Sequence, residues 1–167
     1  MRVLGVDPGT KRIGLALGDT ATRVATPLTV VIRTGDGAGS RREVAGIVDE
    51  WEVEALVVGL PITMAGEHGT AAAAAETEAD ALAAATHVPV TLYDERLTTV
   101  TAHRSLQDQG LDSRARRERV DAVAAAVMLQ AWLDGVAAGT ITVPGEGIVS
   151  KTSSGAPEPA TGKSPTS

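Results

Sequence analysis

The segment Arg2–Gly18, RVLGVDPGTKRIGLALG, leaves this chain few ways to fold. Val3, Leu4 and Val6 form a short apolar run that stops at Asp7; Pro8-Gly9 supplies turn chemistry; a second run resumes at Ile13. The spacing predicts two antiparallel strands. On the second, Ile13, Leu15 and Leu17 alternate with Gly14, Ala16 and Gly18, so one face is nearly bare and should lie close under a helix. Such a hairpin belongs in the middle of a sheet. Val3, Gly5 and Asp7 share a face of the first strand, which places a carboxylate at the strand's end beside a glycine that leaves room for something to approach.

The rest of the chain builds outward from that hairpin. Val24–Arg33, with Val30, Val31 and Ile32, reads as a third strand pairing antiparallel with the second. After the turn at 35–39, Ser40 with Glu43 three residues on predicts a capping box that opens a helix to about Trp51, with Val44, Ile47, Val48 and Trp51 facing inward. The pattern then changes to alternating strand and helix. ALVVGL at 55–60 is a fully apolar strand of the kind buried on both faces of a parallel sheet. A loop at 61–69 containing His68 follows. The alanine-rich 70–86 is expected to be helical, with Ala75, Ala79, Leu82 and Thr86 inward and Glu76, Glu78 and Asp80 outward. Val88–Tyr93 is the last strand, followed by a helix from Thr98 or Thr99 to about Gln109 and a long final helix from Arg114 to about Gly135.

These elements define an α/β fold with a mixed five-stranded sheet, three antiparallel strands and then two parallel ones, flanked by helices. Right-handed crossovers place the fourth strand beside the first, so their carboxyl ends adjoin, where open α/β sheets bind ligands. The first 138 residues read as one domain. Residues 139–167 read as an extension, disordered from about 145, because fifteen of the twenty-three residues from Gly145 onward are Gly, Pro, Ser or Thr.

Composition narrows the chemistry. The chain has no cysteine, which removes thiolate metal sites, disulfides and a cysteine nucleophile. No uninterrupted apolar stretch of membrane-spanning length and no signal-peptide pattern is present, so the expectation is a soluble cytoplasmic protein with no membrane partner. Fifteen basic residues against twenty-one acidic give a net charge of −6, the wrong sign for holding polyanions by bulk charge, so nucleic-acid contact must be local. Aromatic content of 2% disfavours base-stacking platforms. His68, His87 and His103 make neither a metal-binding i, i+4 pair nor a hydrolytic triad.

What remains is a set of acids. Asp7 ends the first strand and Asp94-Glu95 ends the fifth, both expected at carboxyl ends of central strands facing one crevice. Asp121 shares its helical stripe with Ala125, Met128 and Trp132, so it sits on an otherwise apolar face and needs a partner: Arg117 one turn earlier, or a cation. A divalent metal such as Mg²⁺ or Mn²⁺ would unify these carboxylates. Arg114, Arg116, Arg117 and Arg119 open the final helix, where a nucleic-acid backbone would offset their mutual repulsion and the unfavourable helix dipole. Lys11, Arg12 and Arg96 stand near the proposed crevice with the same potential role.

Taken together, GVDPGTKRIGLALG, VVGLPITMAGEHG, YDERLTTVTAHRSL and RVDAVAAAVMLQAWLDG resemble the YqgF/RuvX family, small bacterial proteins of ribonuclease-H-like fold, in order and spacing from Arg2 to Gly135. The resemblance implies a divalent-metal nuclease, a hydrolase acting on phosphodiesters, with its acidic triad and metal ligands at Asp7, Glu95 and Asp121. It also selects Glu95 over Asp94. Family members are described as nucleases maturing the 5′ end of the small-subunit ribosomal RNA precursor (pre-16S rRNA), or as Holliday-junction resolvases acting on branched DNA, in which case a homodimer is expected. Two other classes compete. Asp7-Pro8-Gly9-Thr10 resembles the phosphate loop of sugar kinases and actin, though those proteins carry a duplicated domain. A non-catalytic ribosome-assembly factor binding RNA would have no use for all three acids.

Overall fold

The computed structural model describes residues 1–61, 69–97 and 114–144. β1 (Arg2–Pro8) and β2 (Arg12–Asp19) pair antiparallel through the Pro8-Gly9 turn, with Asp7 opposite Gly14, and β3 (Val24–Ile32) continues the antiparallel run on β2. The chain then leaves the sheet for α1 (Ala38–Glu50) and returns as β4 (Ala55–Leu60), parallel to β1 and buried at every residue. α2 (Thr70–Thr86) leads to β5 (Val90–Asp94), parallel to β4, and a single 3₁₀ turn at Glu95–Leu97 follows it. α3 (Arg114–Ala137) closes the described chain. The sheet order is β3-β2-β1-β4-β5, so the fourth strand adjoins the first as the crossover rule requires.

Strand alternation divides the interior into two layers. Leu4, Val6, Ile13, Leu15, Leu56 and Val58 face α1 and α2, meeting Val44, Val48, Ala79 and Leu82. Val3, Ala16, Val57 and Tyr93 face α3, meeting Ala125, Met128, Leu129 and Trp132. The bare face of β2 does lie under a helix: a Cβ at Gly18 would stand 2.9 Å from Leu129 Cδ2, and one at Gly14 would overlap the Asp121 carbonyl oxygen. α3 is long and apolar enough to cross a membrane by composition, yet its apolar residues are those packed on the sheet and its far end meets Ile141 and Val143.

Four expectations need correction. β5 is the edge of the five-stranded sheet, because no described strand pairs beyond it, so Glu95 does not follow a central strand. α1 begins at Ala38, with Gly37 in the left-handed region (φ 83°) at its cap; Ser40 lies inside the first turn and donates to the Gly37 carbonyl, so no Ser-Glu capping box forms. Trp51 is 38% exposed, since the helix ends one residue before it. Glu78, expected outward, is only 4% exposed. The loop containing His68, the helix expected from Thr98 or Thr99 with His103, and the extension from 145 lie outside the described residues.

Candidate active site

Asp7 is the last but one residue of β1 and is held by that strand's pairing. It points to the α3 face, as Gly5 and its cross-strand partner Gly14 do, and is 3% exposed. Both lateral neighbours of Asp7 are glycines, and each is the floor beneath another acid. On one side is Gly14, whose missing side chain makes room for α3 at Asp121. On the other is Gly59, one residue past Val58, the partner of Val6. A Cβ there would stand 2.5 Å from Glu95 Oε1. Glu95 therefore reaches back from the end of β5 across β4 toward β1, and is 4% exposed. Asp121 and Glu95 thus lie over the two strands that flank Asp7, because β2 and β4 carry no side chain at that level.

The electrostatics differ among the three. Burial pushes the Glu95 carboxyl above its ordinary value, and the charge of Asp94 adds to the effect. Asp121 is about a quarter exposed and accepts a 2.6 Å hydrogen bond from Arg12 Nε; this partner comes from β2, not from Arg117 on its own helix. A hollow of about 240 Å³ is lined by Asp7, Gly9, Thr10, Lys11, Arg12 and Asp121, while Glu95 lies outside its lining.

The basic residues fall into three groups. Lys11 is exposed on the turn beside the hollow, and Arg12 is tied to Asp121. Arg96 is turned onto Asp94 with a 2.6 Å bond, and so is joined to the acid next to Glu95. At the start of α3, Arg114, Arg116, Arg117 and Arg119 are all exposed, with Arg114 also bonded to Glu118. Sequence reasoning missed a further group: Arg33 and Arg41 both bond Oε2 of Glu78, and Arg33 Nε donates to the Gly9 carbonyl in the turn after Asp7.

The donor set is that of a hard divalent cation. All three candidates are carboxyl groups, and two of them, Asp7 and Glu95, are buried where little water can reach them. Arg12 already acts as a stand-in cation for Asp121. With the side chains so placed, no three acidic or histidine residues among the described ones are grouped to hold one ion, and Asp121 would have to exchange its guanidinium for a metal to join the others.

Comparison with known proteins adds identity to this geometry. The profile of the RuvX family, described as Holliday junction resolvase, matches residues 1–135. A protein of Anaeromyxobacter sp. (strain Fw109-5) named "Putative pre-16S rRNA nuclease" is 51% identical over 135 residues, covering 81% of this chain and 98% of that protein. A protein of Chloroflexus aggregans with the same name is 44% identical over 132 residues, covering 79% and 92%. Among solved structures, RuvC of T. thermophilus in complex with a Holliday junction substrate superposes with a TM-score of 0.56 at 22% identity, covering 84% of this chain and 98% of that one, which makes the fold ribonuclease-H-like.

Proposed function

The chain belongs to the RuvX family, and from that premise we propose that it is a divalent-metal nuclease whose substrate is the 5′ region of pre-16S ribosomal RNA in the bacterial cytoplasm. The observation that supports this reading is that Asp7 and Asp121 line one hollow while Glu95 lies over Gly59, on the strand beside Asp7. Names of the relatives support RNA as substrate. Branched DNA is the second reading, favoured by the family's description and by the likeness in fold to RuvC.

In this proposal Asp7, Glu95 and Asp121 would hold one or two Mg²⁺ or Mn²⁺ ions. When bound, such ions lower the pKa of an attacking water and stabilise the leaving oxygen of a phosphodiester. The protein's own residues do the rest. The β1–β2 hairpin fixes Asp7 in a buried position; Arg12 holds the Asp121 carboxylate by a hydrogen bond beside the hollow; Lys11 would meet the phosphate backbone from the exposed turn. The arginines at the start of α3 supply local positive charge on a chain whose net charge is −6.

A cleavage assay with a pre-16S rRNA fragment and a synthetic four-way junction side by side, in Mg²⁺ and in Mn²⁺, tests both readings. Metal-dependent cut of the RNA is expected. Asp7→Asn should reduce the rate on the order of 10²-fold or more, the equivalent of roughly 3 kcal/mol of lost transition-state stabilisation, with the fold retained by circular dichroism. Cleavage of the junction alone would move the function to DNA, and undiminished turnover by Asp7→Asn would overturn the assignment of the site.

A further inference from the structure

On the opposite side of the Pro8-Gly9-Thr10 turn from the acids lies a second hollow, of about 430 Å³, whose lining includes Gly9, Thr10, Arg33, Arg41, Ala74 and Glu78. It shares Gly9 and Thr10 with the acid-lined hollow, so the two meet at the crest of one turn. Two guanidinium groups face one carboxylate here, leaving one positive charge in excess. α2, whose first turn contributes Ala71 to the lining, begins with no acidic residue in that turn and no side-chain cap, so its helix dipole adds to the positive field.

The internal pairing is incomplete in a specific way. Arg33 Nη1 and Arg41 Nη2 both bond Glu78 Oε2, at 3.1 and 3.2 Å, while Glu78 Oε1 and Arg41 Nε are buried with no hydrogen-bond partner among the described residues. A forked arginine–carboxylate pair engages both carboxylate oxygens, and that arrangement is absent from the bonds these two arginines make to Glu78. Crowded onto one oxygen, they are instead held side by side at the hollow, with 22% and 27% of their side chains exposed.

We propose that this hollow is an anion site that takes a phosphate of the substrate strand flanking the scissile one, with Arg33 and Arg41 as its ligands and Glu78 as the residue that positions them. The strand crosses the turn at Gly9 and Thr10, placing one phosphate over the acids and a neighbouring one over the arginines. Arg33 couples the two sites physically, since its Nε–H holds the Gly9 carbonyl. The assignment rests on reading the chain as a protein that acts on nucleic-acid phosphodiesters.

The test is equilibrium binding in EDTA, where no cleavage occurs, of a fluorescein-labelled single-stranded RNA across a salt series, with the full-length chain. Arg33→Gln and Arg41→Gln should each weaken binding on the order of tenfold and lower the slope of log K against log salt by about 0.7, the share of one phosphate on a single strand. Glu78→Gln, which removes the competing negative charge, should tighten binding. The Arg33→Gln/Glu78→Gln double variant, which leaves no buried carboxylate short of a partner, should fold and bind more tightly than Arg33→Gln but less tightly than Glu78→Gln. Weakening by Glu78→Gln, or an unchanged salt slope in the arginine variants, would overturn the site. Calorimetry with inorganic phosphate is the second arm: binding that Arg33→Gln abolishes without changing RNA affinity would assign the hollow to free phosphate and overturn the strand-binding claim. A wild-type chain that binds RNA through these arginines but cleaves neither substrate with metal would sink the nuclease reading alone; cleavage with normal RNA binding by the arginine variants would sink this one alone.

Discussion

At the scale of residues, two glycines decide where the acids stand, and they differ in what they touch. Gly59 lies against the free end of the Glu95 side chain, so Gly59→Ala should push that carboxylate aside and leave the sheet intact. The expected result is a stability change of about 1 kcal/mol with a cleavage loss on the order of 10²-fold. Gly14 lies against the backbone of α3, which cannot rotate away, so Gly14→Ala should cost about 3 kcal/mol in denaturant unfolding. Equal stability losses in the two variants would contradict this distinction. Glu95 itself predicts a pH dependence. In the metal-free protein its carboxyl is raised above 4.5 by burial and by Asp94, so the folded chain keeps a proton that the unfolded chain has released. Stability should therefore fall as pH rises from 4.5 through the raised value, and Glu95→Gln should be the more stable protein above that window and indistinguishable below it. Thermal unfolding in EDTA checks this, and a Glu95→Gln destabilised at every pH would refute it. Asp7 and Asp121 stood out as candidates because one acid closes an apolar strand and the other interrupts an apolar stripe, although a turn and an ion pair were the rival explanations, and an ion pair is what Asp121 makes. The Arg12 partner of Asp121 was not legible, because that bond joins residues 109 apart in sequence and only tertiary packing brings them together.

At the scale of elements, helix α3 holds the site in register. Leu129 fills the space left open by Gly5 and Gly18 on neighbouring strands, and it is fully buried. Leu129→Ala should therefore cost about 2–5 kcal/mol, read as a lower urea midpoint with an unchanged slope; a loss under about 1 kcal/mol would mean that α3 is not the lid of the sheet. The helix was readable before the structure because three small residues on β2 demand a close neighbour and the Asp121 stripe supplies one. The bounds of β4 and α2 were readable for a similar reason: uniform apolar character and alanine propensity leave little competition. Ser40 misled because Asp36 and Gly37 shape the chain earlier, with the Asp36 carboxylate accepting from the Ala38 amide and the cap falling at Gly37, three residues before Ser40. Glu78 misled in another way. It sits three residues after Ala75 and four before Leu82, squarely in the buried stripe of α2, and its charge concealed what its position stated.

At the scale of the whole molecule, the strand order β3-β2-β1-β4-β5 makes the carboxyl ends of β1 and β4 adjacent, and that adjacency brings Asp7 to the floor beneath Glu95. The topology was derivable from the order of elements and the handedness of crossovers. The edge position of β5 was not, because apolar character alone does not say whether a further strand pairs beyond it. With an excess of acidic over basic residues, the proposed nucleic-acid contact has to be local, and Lys11, Arg33, Arg41 and the exposed arginines that open α3 are the positive charges the proposal relies on. The whole account depends on three acids from β1, the turn after β5, and α3 serving one metal centre. Calorimetric titration of the metal-free chain with Mn²⁺ tests this most directly. The prediction is a saturable isotherm that Asp7→Asn, Glu95→Gln and Asp121→Asn each weaken by at least about tenfold; Mn²⁺ binding that any one of the three leaves at wild-type strength would contradict it.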